Sequence, residues 1–112
     1  MSQRFDDMMK RATAVRDHYT ELQVKNGHAT WAPKDRMAGF VADVGDLSKL
    51  IMVKNGLRSG PEAIDSKLAH ELSDCLWSVM VLADELGVDL ENAFNRTMDE
   101  LHERIEKEKA NS

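Results

Sequence analysis

Apolar residues recur with a period near 3.6 in four successive segments, and glycine closes the first three. An apolar stripe of that period has to be buried along one side of a helix. The first stripe carries Phe5, Met8, Met9, Ala12, Val15, Tyr19 and Leu22 and ends near Asn26-Gly27. The second runs from about Pro33 to Asn55-Gly56, through Met37, Phe40, Val41, Val44, Leu47, Leu50 and Ile51. The third begins between Pro61 and Ser66 and ends at Gly87, with Leu68, Leu72, Cys75, Val79, Leu82 and Leu86. Asp89 then reads as the N-cap of a fourth, with Leu90, Ala93, Phe94, Met98, Leu101 and Ile105. Glycine at a left-handed C-terminal position and proline near a start are ordinary helix punctuation. Val, Ile and Thr supply only 15 of the 112 residues, which disfavours sheet. The expectation is one all-α domain over residues 1–112, with Glu106 to Ser112 fraying as a charged end.

Composition narrows the possible partners. Fifteen Lys+Arg against twenty Asp+Glu give a net charge of −5. That balance argues against nucleic acid or an anionic membrane as the main partner. A lone cysteine makes no internal disulfide framework and suits a reducing compartment. Cys75–Ala83, the longest weakly polar run, is too short to span a bilayer, and the N-terminus lacks a signal-peptide core. These features fit a cytoplasmic protein. Around Cys75–Ala83 the third helix is nevertheless apolar nearly all round, with Trp77 opposite the main stripe. Such a helix needs cover on two sides, and a second copy of the chain is expected to provide it.

The carboxylates carry the chemical signal. On the second helix, Asp43 and Asp46 stand three residues apart at the flank of the apolar stripe, and Glu71 and Asp74 hold nearly the same position on the third. In an antiparallel hairpin both pairs converge on one rim of the seam. Acidic pairs of this spacing also arise by chance in a highly charged chain; Glu100, Glu103 and Glu106 form such a series on the outer, solvated face of the fourth helix. Half-buried carboxylates repel one another and resist desolvation. A hard divalent cation relieves both penalties, and Mg²⁺ keeps coordination positions open for phosphate oxygens.

Asp43-Val-Gly-Asp46-Leu47, followed by Glu71-Leu-Ser-Asp74, resembles the paired acidic signature of the MazG-like all-α nucleoside triphosphate pyrophosphatases. Trp31-Ala-Pro33, Val53-Lys54-Asn55, Trp77 and the Leu82–Leu90 stretch followed by Ala93-Phe94 are similar to its surroundings, over roughly residues 28–105. The resemblance implies a four-helix bundle completed by homodimerisation, or by pairing into tetramers. It implies Mg²⁺-dependent cleavage of a (d)NTP to the monophosphate and pyrophosphate in nucleotide-pool house-cleaning, with Mn²⁺ as a substitute ion. Asp43, Asp46, Glu71 and Asp74 would hold the metal, and Asp43 or Asp46 would orient the attacking water or take its proton.

The first pair departs from the family's usual Glu/Glu by one methylene on each side chain. Ala42 and His70 stand where an additional acid is common, and Thr97 and Leu101 where a Lys and an Asn often appear. The alternatives are therefore a MazG-like nucleotide-binding or purely oligomeric module, and a phosphoribosyl-ATP pyrophosphohydrolase-like activity. Trp31 is a candidate for stacking on a base or for packing. Lys54, Arg96 and Arg104 are candidate phosphate partners, as are Arg58 and Lys67 around the connection between the second and third helices. Trp77 reads as interface or core, Cys75 as a buried small hydrophobe, and the four histidines lack metal-ligand spacing.

Overall fold

In the computed structural model, which describes residues 3–57, 59–60 and 62–112, the four stripes are four helices. They are α1 (Gln3–Lys25), α2 (Pro33–Lys54), α3 (Ile64–Glu85) and α4 (Leu90–Asn111). There is no strand among the described residues, so the all-α expectation holds. The turn after α3 shows how the first three helices end: Gly87 takes φ 71°, the Val88 amide reaches back 2.8 Å to the Ala83 carbonyl, and the chain reverses into α4. Gly27 and Gly56 end α1 and α2 in the same left-handed conformation. Asp89 caps α4, accepting from the Asn92 amide at 3.2 Å. The charged tail does not fray as expected, because α4 continues to Asn111. Strong helix formers and the Glu103–Lys107 and Glu106–Lys109 pairs carry it on.

α2 and α3 form the principal packed pair and run antiparallel. Arg36 at the start of α2 pairs with Glu85 at the end of α3 (Nε–Oε1 2.6 Å), and Lys54 at the end of α2 pairs with Asp65 at the start of α3 (2.5 Å). These two ion pairs bracket the seam; Lys54–Asp65 is exposed, and Arg36–Glu85 is the one withdrawn from solvent. α1 packs on α3. The Trp77 indole N–H donates to the Ala12 carbonyl at 3.0 Å, its ring meets Tyr19 edge-on at 6.1 Å, and Arg16 pairs with Asp84 at 2.6 Å.

Part of the cover over Cys75–Ala83 comes from the chain itself. Ser78, Met80, Val81 and Ala83 are buried, and α1 packs on one side of Trp77, which stays partly exposed. The far side of the third helix is satisfied by a helix 65 residues upstream, a contact that periodicity does not encode. Leu76, within the same run, stays exposed, and so does apolar surface on the other helices. α4 makes only marginal contact with the other helices, leaving Phe94, Met98, Leu101 and Ile105 exposed. Val41, Val44, Ile51, Leu72 and Leu76 of α2 and α3 are exposed as well. The radius of gyration is 17.9 Å, against about 13 Å for a compact chain of this length.

Trp77→Phe removes the indole donor while keeping an aromatic ring. It is expected to lower unfolding stability by about 1 kcal/mol in chemical denaturation; an unchanged midpoint would show that the bond to Ala12 does not help hold α1.

Candidate functional site

Because α2 and α3 run antiparallel, each step forward along α2 meets a step back along α3. The acids accordingly meet in cross-seam pairs. Asp43 and Asp74 line one cavity of about 550 Å³, and Asp46 and Glu71 line a second of about 550 Å³. The single rim expected from the helical wheel is thus divided between two adjoining cavities. The tightest cluster of potential ligands among the described residues lies on α3 alone. One donor atom each from His70, Glu71 and Asp74 fall within 4.8 Å of one another, and His70 Nε2 is 3.2 Å from Asp74 Oδ2. Donors around one Mg²⁺ span roughly 4 Å. Asp43 and Asp46 are not drawn into that group, in keeping with their short side chains.

Glu71 Oε2 is buried and has no hydrogen-bond partner among the described residues. A buried carboxylate oxygen left in that state is costly, and a cation beside it would remove the penalty. The donor set therefore fits a hard divalent ion, with oxygen ligands predominating and one imidazole alongside. Cys75 registers the same field. Burial first, and then the charges of Asp43, Glu71 and Asp74, push its thiol pKa up from the ordinary value. A raised value keeps the thiol neutral and unreactive.

The first cavity extends from Asp43 and Asp74 into aromatic surroundings. α1 contributes Val15, Tyr19 and Gln23, the loop before α2 contributes Trp31, and α3 contributes Trp77 and Ser78. Trp31 has its seat at Gly39, where a Cβ would lie 3.1 Å from the indole ring. The absence of a side chain at Gly39 lets the edge of the indole approach α2, with much of Trp31 still open. Arg36, also lining this cavity, is buried against Glu85. Ser78 is 5% exposed, and Gln23 Oε1 is buried without a partner among the described residues.

Of the remaining sequence candidates, Lys67 lines the second cavity. Lys54 is paired with Asp65 and Arg96 is exposed on α4, and neither lines these two cavities. Arg58 lies outside the described residues. The residues that sequence reading missed include Tyr19, Gln23, Arg36 and Gly39 at the first cavity, with Lys49 and Ser66 at the second. Gly39 and Arg36 had a signal, since they stand four and seven residues before Asp43 on the same face of α2. Gln23 and Tyr19 had none, because α1 reaches the site only through tertiary packing.

An all-α chain with two acidic helix pairs meeting along one seam defines a recognisable class. Residues 42–108 match the MazG nucleotide pyrophosphohydrolase domain, more than half of the chain, and the chain belongs to that family. The match covers both acidic pairs and α4, and leaves α1, Trp31 and Gly39 outside it. No curated protein and no solved structure matches the chain significantly. No described helix is long and apolar enough to cross a membrane.

Alkylation of Cys75 followed against pH is expected to give a midpoint above that of an ordinary thiol, since the anion is the reactive form. A midpoint at or below the ordinary value would contradict the acidic, desolvated setting.

Proposed function

We propose that this chain is a Mg²⁺-dependent nucleoside triphosphate pyrophosphohydrolase, releasing a (d)NMP and pyrophosphate, with a cytoplasmic house-cleaning role. The observation that carries the reading is the buried, unpartnered Glu71 oxygen beside His70 and Asp74, on a seam shared with Asp43 and Asp46. Glu71, Asp74, Asp43 and Asp46 would hold the ion. Mg²⁺, or Mn²⁺ in its place, supplies charge neutralisation for the triphosphate and acidifies an attacking water. Attack on the α-phosphorus forms the new P–O bond as the α–β bridge breaks, with pyrophosphate as the leaving group. Asp43, at the acidic end of the aromatic cavity, takes the proton of that water or orients it, and Asp46 shares this role. Trp31 offers an open indole face for the base.

The reading includes assembly into a homodimer or a tetramer. The chain exposes 8485 Å², against about 6,200 Å² for a folded monomer of its mass. The excess is comparable with a stable protein–protein interface, and the apolar stripe of α4 with the uncovered faces of α2 and α3 supplies suitable chemistry. A second reading, nucleotide binding without turnover, draws on one observation: the closest group of ligands lies on α3, with Asp43 and Asp46 outside it. Calorimetry with Mg²⁺ and a non-hydrolysable triphosphate separates binding from turnover.

Incubation with a panel of (d)NTPs and Mg²⁺ is expected to yield monophosphate and pyrophosphate from at least one, and chelation of the metal is expected to stop it. Asp74→Asn should lower turnover by about 100-fold or more with unchanged helical content. Absence of both products across the panel from folded protein, or full turnover by Asp74→Asn, would overturn the catalytic reading.

A further inference from the structure

The second cavity differs in character from the first. Lys49 stands three residues beyond Asp46 on α2, and Lys67 four residues before Glu71 on α3. The antiparallel seam brings both lysines to the same level, about one helical turn beyond the Asp46–Glu71 pair. Both line the cavity, together with Ser66. Neither lysine forms an ion pair among the described residues, whereas Lys54, Lys107 and Lys109 do. Ser66 and Lys67 lie in the opening turn of α3, and Ala63 before it provides no side-chain cap. The first amides of that helix and the positive end of its dipole add to the same field. At the other end of the seam the surroundings are aromatic, and the cation there, Arg36, is already paired with Glu85.

We propose that Lys49, Lys67 and the Ser66 hydroxyl form a pyrophosphate-binding site, which receives the β- and γ-phosphates of a substrate whose base lies at the Trp31 end. This rests on the triphosphate reading above and gives the seam a polarity. From Gly39 to Lys49 the helix advances about 15 Å, passing the aromatic seat, the Asp43–Asp74 pair, the Asp46–Glu71 pair and then the lysines. A cleavage between the α and β phosphates falls at the acids and leaves pyrophosphate beside two ammonium groups. Lysine suits this task as a mobile point charge that can follow a departing anion. The aromatic end lacks an unpaired cation among its lining residues, so the substrate has one favoured direction.

Calorimetric titration of the folded protein with inorganic pyrophosphate in the presence of Mg²⁺ tests the site without requiring turnover. The wild-type chain is expected to bind pyrophosphate, and Lys49→Ala with Lys67→Ala to weaken that binding about 10- to 100-fold. The corresponding Lys→Arg pair should keep most of it, and Lys109→Ala, at the C-terminal end of α4 and lining neither cavity, all of it. Mn²⁺ affinity measured on the double alanine variant should not fall below the wild-type value, since removing two cations beside the acids can only favour a bound cation. Undetectable pyrophosphate binding by the wild type, or equal binding by the double variant, would overturn the proposal. Triphosphate turnover with pyrophosphate binding unaltered in the variant removes the site and leaves the hydrolase reading; lysine-dependent binding without turnover does the reverse.

Discussion

Everything in this molecule depends on the antiparallel seam between α2 and α3, along which acidic side chains from both helices are brought together. Packing the apolar stripes is the favourable term, and concentrating carboxylates is its electrostatic cost. Arg36–Glu85 and Lys54–Asp65 lie at the two ends of the seam, while the middle is left with Asp43, Asp46, Glu71 and Asp74. The Arg36–Glu85 pair is largely withdrawn from solvent, so shifting the seam by one turn would strand a buried charge. The unpartnered Glu71 oxygen is the residue of that cost, located where a divalent cation would cancel it.

The remaining helices serve this seam in different ways. α1 is held to α3 by the Trp77–Ala12 bond and by Arg16, whose guanidinium pKa is raised chiefly by its hydrogen bond to Asp84. Thus fixed, α1 closes the aromatic cavity from outside the part of the chain that defines the family. The same fold leaves α4 with its apolar stripe in water, a surface whose burial is worth roughly 25 cal/mol per Å² once it is covered. The proposed dimer joins these facts: a chain too open to bury its own stripes gains its missing cover from another copy.

Much of this was legible in local sequence. Helix ends at Gly27, Gly56 and Gly87 and the Asp89 cap follow from backbone requirements that act within a few residues. The acidic pairs followed from i, i+3 geometry, and extending the same series from Asp43 and Asp46 reaches Lys49. The fraying expected after Glu106 failed because local Glu–Lys pairs and good helix formers outweigh the usual loosening of a terminus. What stayed hidden was long-range. Nothing near Trp77 announces Ala12 and Tyr19 as its neighbours, and nothing near Arg36 announces Glu85 as the partner that allows its burial. The helical wheel placed the four acids at one flank, whereas side-chain reach and the course of the two helices divide them between adjoining cavities.

A divalent cation bound at the α2–α3 seam would draw on acids of both helices, across the boundary between the two cavities. Electron paramagnetic resonance of Mn²⁺ titrated into the protein tests it most directly, because bound and free ion are counted without any substrate. The wild type is expected to bind Mn²⁺ saturably, displaced by Mg²⁺ and weakened at least tenfold by Asp43→Asn on one helix and by Glu71→Gln on the other. Equal Mn²⁺ binding by the wild type and both variants would contradict it.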